Sequence, residues 1–341
     1  MSSYPPALPR RSFLLGAGAL VAFSLAGCGD DSNAETSPVA SSAGPWEFTD
    51  DRGQKISLPQ RPERVVGYVS TAAALWDFGV RPVGVFGPQK TSTGEKEIQA
   101  GNIDLATVES VGVVWDDFNV EKFASLKPDL VVTGLTGTKP TDLWAITEDI
   151  GKKVTQIAPI AAISEYKVSL PKVIERYSAL AKALGADVDG ATVTAAKADF
   201  EKASEELRTA AAAKAGLKVL VVYSDKDNVY VAKPEFFSDL AYYKELGIDL
   251  VAGEGPDDYW EKLSWEQVGK YPADLILTDT RTFSLPQSEM AKFPTWQQLP
   301  AVKAGQLGGW SAEPRFNYTL ATPVLRSLTE AITRAKADVV A

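Results

Sequence analysis

The chain has 341 residues, of which 45% are hydrophobic and 23% charged, as in an ordinary soluble globular protein. Lysine and arginine number 35 against 44 aspartates and glutamates, and the net charge of −9 argues against a nucleic acid as partner, because nucleic acids require a basic surface. Histidine is absent, which excludes hydrolases of the Ser-His-Asp type and zinc sites built on histidine.

The chain begins with the pattern of an export signal. Arg10 and Arg11 precede an uncharged stretch, 12–27, that is shorter than the ~20 residues a membrane span needs. The paired arginines resemble a twin-arginine signal. Leu25-Ala26-Gly27 stands before Cys28, the only cysteine, so no disulfide or cysteine-ligated metal site is expected. This arrangement resembles a bacterial lipobox, which implies cleavage of residues 1–27, lipid on Cys28 and anchoring to the outer face of the cell membrane.

Small polar residues follow, and positions 28–45 are interpreted as a lipid-anchored flexible tether. From Trp46, two alternating segments flank the turn residues 50–53 and predict a β-hairpin. Strands are then predicted at 65–69, 82–86, 129–133 and 154–157, with helices at 71–78, 119–126 and 140–150. Strands that alternate with helices at this spacing predict a parallel α/β sheet covered on both faces.

Two helical segments, 170–184 and 191–214, separate this half from a second α/β half. The second segment would be roughly 36 Å long at 1.5 Å per residue, long enough to connect two lobes. Strands are predicted beyond it at 218–223, 228–231 and 274–278, and helices at 236–246, 264–270 and 318–337. The predicted organisation is an N-terminal α/β lobe at 46–189, an interlobe helix at 190–215 and a C-terminal α/β lobe at 216–337.

Several segments together resemble the substrate-binding lipoproteins of bacterial ABC importers for iron–siderophores, haem and cobalamin. They are Arg61–Val66, Gly79–Val85, Asn119–Glu121 with Leu126–Val132, Leu263–Val268, and Trp296–Val302 with Gly305–Leu307. The resemblance covers nearly all of residues 46–335. It implies an α/β fold with two Rossmann-like lobes, a rigid connecting helix and a ligand cleft between the lobes. It also implies a monomeric binding protein, not an enzyme, whose partners are a ferric siderophore and an ABC importer permease.

The family docks onto arginines of the permease through one glutamate on each lobe, and the motif matches place these at Glu121 and Glu266. Two carboxylates on equivalent helices could clamp a two-fold permease surface through charge-assisted bonds. The alternative is that each is an early helical glutamate favoured only by the helix dipole.

Ligands of open α/β sheets bind beyond the carboxyl ends of the strands, and this rule gives the candidate ligand-binding residues. Tyrosine and tryptophan supply contact area, and arginine pairs with anionic oxygens. The candidates are Tyr68, Lys90, Trp115, Tyr223, Tyr259, Trp260, Arg281, Trp310 and Arg315. Trp76, Trp144 and Trp265 are predicted to be core residues instead. No metal ligand or cofactor is assigned, because a siderophore arrives with its iron already coordinated.

Three alternatives remain open at this point. A haem or cobalamin-type ligand fits the same family, since a tyrosine can serve as axial haem ligand. A hydrolase would need two carboxyls about 5 Å apart, for which Asp116-Asp117 and Asp257-Asp258 are candidates. A structural or adhesion lipoprotein would more usually be β-rich or repetitive.

Overall fold

The computed structural model describes residues 44–115 and 117–340, and these belong to a single compact unit of the chain. The predicted signal sequence at 1–27, Cys28 and Asp116 lie outside the described residues. In the described ranges, no helix is both long and apolar enough to cross a membrane.

A hairpin of β1 (Trp46–Thr49) and β2 (Lys55–Leu58) precedes the N-terminal lobe, as predicted. The lobe then contains β3 (Val65–Tyr68), α1 (Val69–Asp77), β4 (Gly84–Phe86), β5 (Glu109–Ser110), α2 (Val120–Ser125), β6 (Leu130–Leu135), α3 (Glu148–Val154) and β7 (Ile160–Ser164). Its sheet has the order β5-β4-β3-β6-β7, with every pairing parallel. The central strands β3 and β6 are buried along their whole length, which explains their continuous apolar runs.

Two helices connect the sheets, α4 (Leu170–Ala183) and α5 (Ala191–Ala213), close to the bounds predicted for both. Helix α4 buries Val173, Ile174, Tyr177 and Leu180, whose spacing places them on one face. That face packs against α1, β1 and β7 of the N-terminal lobe and against a helix of the other lobe, Ser238–Glu245. One hydrophobic core therefore runs through α4 from lobe to lobe.

The C-terminal lobe contains β8 (Lys218–Ser224), β9 (Asn228–Ala232), α6 (Ser238–Glu245), β10 (Asp249–Val251), β11 (Trp260–Ser264), β12 (Leu275–Asp279), α7 (Gln287–Met290), α8 (Pro294–Gln297), α9 (Pro300–Lys303), β13 (Leu307–Trp310) and α10 (Tyr318–Arg334). Its sheet has the order β11-β9-β8-β12-β13, with β10 beside the start of β8. Strands β8, β10, β12 and β13 pair in parallel. Strand β9 is antiparallel to β8, and β11 is antiparallel to β9. This sheet is therefore mixed, whereas a parallel sheet was predicted for each lobe. Helix α10 packs along α5.

Two predicted elements of the N-terminal lobe were wrong. Residues 140–147 form turns instead of a helix, and α3 begins only after Thr147, whose hydroxyl accepts a hydrogen bond from the Ile150 N–H at 3.4 Å. The strand predicted at 154–157 falls on the end of α3 and the turn after it, and the true strand is β7.

Candidate ligand-binding cleft

Aromatic rings from the N-terminal lobe form one wall of a cleft between the lobes. Tyr68 ends β3 and is fully buried, with Trp144 stacked on its ring at a centroid distance of 5.7 Å. Trp115 lies 5.9 Å from Tyr68 and 5.1 Å from Trp144. We call these three residues the N-terminal wall. Tyr68 and Trp115 were predicted for the cleft, whereas Trp144 was predicted to be helix core.

Two glycines make room for this wall. A Cβ at Gly87, where φ is +89°, would lie 2.4 Å from the Tyr68 ring. A Cβ at Gly134, in β6, would lie 2.6 Å from the Trp144 ring. Real Cβ atoms do not approach so closely, so any larger residue at either position would displace the rings.

The C-terminal lobe supplies the opposite wall from Tyr223, Trp260 and Phe283, which we call the C-terminal wall. Tyr223 lies near the carboxyl end of β8. The centroid of its ring is 5.9 Å from that of Trp260 and 6.4 Å from that of Phe283. Phe283 is 43% exposed, unusual for such a large apolar side chain. It meets Trp115 edge-on at 6.5 Å, so the two walls touch across the cleft.

Arg281 lies between the walls with its charge already paired. Its guanidinium binds Asp279 through Nη2 at 2.7 Å and Nε at 2.8 Å, and Glu313 through Nη1 at 3.4 Å. Burial acts to lower the pKa of Arg281, but Asp279 and Glu313 outweigh it and hold the pKa above its ordinary value. Glu313 also accepts the Tyr68 hydroxyl at 2.8 Å and the Gln99 amide at 2.9 Å. We call Gln99, Asp279, Arg281 and Glu313 the floor.

At the floor, hydrogen-bond acceptors outnumber hydrogen-bond donors. Burial raises the pKa of Glu313 against the opposing effect of Arg281. The hydroxyl of Thr282 donates to one oxygen of the neighbouring buried carboxylate Glu97. In the described residues, Glu97 Oε2 and Gln99 Oε1 are buried without a hydrogen-bond donor. Such orphaned acceptors are costly in a protein interior, so the floor favours a ligand that brings N–H groups or positive charge.

Tyr259 lies at a contact between the lobes. Its hydroxyl donates to the Thr136 carbonyl at 2.6 Å, and its ring packs on Phe236 and Phe237. Beside it, the Tyr166 hydroxyl donates to Asp258 at 2.9 Å. Asp258 thus takes part in a contact between the lobes.

Three of the predicted ligand-binding residues lie elsewhere. Trp310 is buried behind Trp260, at 6.0 Å, and its indole N–H donates to Asp239 at 2.7 Å. Arg315 is half-buried and lines a separate groove beside α10. Lys90 is exposed. The structure therefore brings Tyr68, Trp115, Tyr223, Trp260 and Arg281 together in the candidate cleft, whereas Tyr259 lies at the contact between the lobes and these three lie elsewhere.

The two glutamates predicted to dock on the permease are exposed, each in the first turn of a short helix. Asn119 caps α2 by accepting the Lys122 N–H at 2.8 Å, and Glu121 follows it. Glu266 occupies the same place in the 3₁₀ helix Trp265–Lys270, whose capping box uses Ser264. The hydrogen bond from Ser264 lowers the pKa of Glu266. Each lobe therefore presents one of the two predicted docking carboxylates to solvent, Glu121 from a short α-helix and Glu266 from a 3₁₀ helix.

A family model described as periplasmic binding protein matches residues 75–314, which include nearly all of the cleft. The chain belongs to this family. This periplasmic binding protein is also 24% identical over 284 residues to the Fe(3+)-citrate-binding protein YfmC of Bacillus subtilis, covering 83% of this chain and 84% of that protein. It is 27% identical over 274 residues to YhfQ of the same organism, a putative ABC transporter substrate-binding lipoprotein, covering 76% and 79%.

Among solved structures, this binding protein is similar to DesE, a ferric-siderophore receptor protein from Streptomyces coelicolor. The identity is 41%, the TM-score is 0.82, and the match covers 86% of this chain and 99% of that one. That similarity extends through both lobes. In the described residues, no group of three or more Asp, Glu, Cys or His side chains is placed to hold a metal ion.

Proposed function

We propose that this protein captures a ferric siderophore between the two aromatic walls and delivers it to the permease of an ABC importer. The aromatic walls around a buried polar floor carry the proposal, because a siderophore is a large amphiphilic chelate. The similarity to DesE, which is described as a ferric-siderophore receptor protein, supports the same ligand class. Iron would enter as part of this ligand, already chelated.

The charge of the floor narrows the ligand class. Together, the floor and Glu97 carry one guanidinium and three carboxyl groups in the described residues. A triply negative catecholate chelate would meet these carboxylates without an unpaired arginine to balance them. A neutral or positively charged trihydroxamate chelate avoids that repulsion and can donate N–H groups to Glu97 and Gln99. We therefore expect a trihydroxamate ligand.

We also propose lipid anchoring through Cys28 and an extracytoplasmic location. The sequence ahead of Cys28 and the description of YhfQ as a lipoprotein support this assignment. Permease docking through Glu121 and Glu266 is part of the same proposal, since both are exposed and occupy equivalent positions on the two lobes.

Fluorescence titration tests the ligand assignment. A soluble form with residues 29–341, which contains the whole described unit, is titrated with a ferric trihydroxamate, a ferric triscatecholate, haem and cobinamide. We expect saturable tryptophan quenching by the trihydroxamate at sub-micromolar concentration, about −8 kcal/mol or better. No response to any ferric chelate would contradict the proposed function. Tighter binding of the catecholate would contradict only the charge argument.

The variant Phe283→Ala tests whether the ligand contacts the C-terminal wall. It removes an exposed ring from the C-terminal wall without opening the core, so affinity should fall about tenfold while stability changes little. Ile157→Ala, which truncates another exposed apolar side chain, serves as the control. Equal affinity in the two variants would show that the ligand does not contact the wall.

A further inference from the structure

A groove of about 530 Å³ lies between α10 and the edge strand β13, and Ile98 and Asn102 of the N-terminal lobe also line it. None of the residues that line it belongs to the two walls or the floor of the cleft. Its volume is within the range of about 300–1,000 Å³ typical of small-molecule sites, and far above the small voids of a packed core.

The groove exists because a helix face meets a strand without side chains to fill the space. Val324 and Leu328, one turn apart on α10, line it together with Leu277 of β12. Gly309 of β13 lines the groove and offers no side chain, and a Cβ there would come within 2.9 Å of Thr280. The result is a predominantly apolar trough.

Among the described residues, Arg315 brings to this trough a guanidinium that has no direct ion-pair or hydrogen-bond partner. In the part of the chain that the structure describes, no carboxylate oxygen lies within 4.0 Å of its guanidinium, and no acceptor hydrogen-bonds to it. This contrasts with Arg281, which has two acidic partners. Burial lowers the pKa of Arg315 against the opposing effects of Tyr243 and Asp239.

Asp239 is close enough to act on Arg315 but is engaged elsewhere. Its Oδ2 accepts the Trp310 indole N–H at 2.7 Å, and its Oδ1 accepts the Leu240 N–H at 2.9 Å. Burial raises the pKa of Asp239 to about 7, against the opposing hydrogen bond from Trp310. A half-buried guanidinium without a direct ion-pair partner is unfavourable, and a planar anion that binds it bidentately removes that penalty.

We propose that this groove is a second binding site, which takes a monocarboxylate with a linear hydrocarbon chain. The carboxylate pairs with Arg315, and the chain lies along Leu277, Val324 and Leu328. The site is independent of the siderophore proposal, because none of its lining residues belongs to the walls or the floor.

Calorimetric titration of residues 29–341 with decanoate and with decan-1-ol separates the contribution of the charge from that of the apolar chain. We expect saturable decanoate binding with a Kd below about 1 mM and about tenfold weaker binding of the alcohol. Arg315→Met should weaken decanoate binding about tenfold and leave the alcohol unchanged. Arg326→Met, on the exposed side of the same helix, is the matched control and should bind both ligands as the unmodified protein does.

Val324→Trp fills the trough and should abolish the binding of both decanoate and the alcohol while ferric chelate binding is retained. Thermal unfolding of each variant checks that the fold is intact. Absence of saturable decanoate binding to the unmodified protein would overturn the proposal. It would also be overturned by equal losses in Arg315→Met and Arg326→Met, or by competition between decanoate and the ferric chelate, which would place the binding in the cleft.

Discussion

Two buried carboxylates support the tryptophans of the cleft from behind. Glu165 accepts the Trp144 indole N–H at 2.7 Å and the Tyr177 hydroxyl at 2.7 Å. Asp239 holds Trp310, which backs Trp260 of the C-terminal wall. Burial is the main cause that raises the pKa of Glu165 to about 8 and that of Asp239 to about 7. Both side chains therefore retain much of their proton near neutral pH.

These raised pKa values make stability depend on pH. Above their ordinary pKa values of 4.5 and 3.8, the unfolded carboxyls lose their protons while the folded ones keep them. The free energy of unfolding should therefore fall as pH rises from about 5 to about 8, on the order of a few kcal/mol. Urea unfolding at a series of pH values measures it. Glu165→Gln should reduce this slope, whereas Glu330→Gln, an exposed control on α10, should not; equal slopes would contradict the assignment.

The rule that ligands bind at the carboxyl ends of strands predicted five of the ten residues in the walls and the floor, and it missed the centre of the floor. Tyr68, Tyr223 and Arg281 end or closely follow predicted strands, whereas Trp115 and Trp260 were predicted for the cleft without a predicted strand beside them. Glu313 was not identified as the centre of the floor, because its partners Tyr68 and Gln99 lie 245 and 214 positions away in the chain. Only the arrangement of the lobes brings these groups together.

At the level of elements, strong local patterns predicted the helices correctly. A long-range contact explains why the helix predicted to begin at residue 140 was wrong. Helices α4 and α5 were predicted nearly to the residue, because each has a clear apolar face or a helix-favouring composition. Residues 140–147 have helix-like composition too, but Trp144 N–H bonds back to the Gly134 carbonyl at 3.1 Å, and Leu143 bridges to Leu135. These bonds hold the segment against β6 and leave Trp144 on the wall.

Helix α4 should couple the stability of the two lobes. Ile174→Ala removes a fully buried side chain from a helix that packs on both, and should cost about 2–5 kcal/mol. Because the core is shared, tryptophan fluorescence and circular dichroism should still report one coincident transition at a lower midpoint. Lys172→Ala, on the exposed face of the same helix, is the control. Two separated transitions in Ile174→Ala would show that the lobes unfold independently.

Considered as a whole molecule, the protein has two lobes in direct contact through Tyr259, Tyr68 and Trp115. A chelate that enters between the walls must part Trp115 from Phe283. The shared core through α4 leaves little freedom for the lobes to move as separate bodies. We therefore expect a cleft that opens by side-chain and loop movement more than by hinge rotation, with the spacing between Glu121 and Glu266 nearly fixed.

The proposed docking through both lobes at once would require a fixed spacing, because each carboxylate would have to meet an arginine of the permease without distorting the other contact. The double variant Glu121→Ala with Glu266→Ala should reduce uptake of radiolabelled ferric siderophore in cells carrying the permease by at least tenfold, about 1.4 kcal/mol. Affinity for the ferric chelate in the fluorescence titration should be unchanged, since both residues are exposed and outside the cleft. The control double variant is Glu63→Ala with Glu330→Ala, which removes one exposed glutamate from each lobe at other positions. Equal loss of uptake in the control, or loss of chelate affinity in the test variant, would refute docking through this pair.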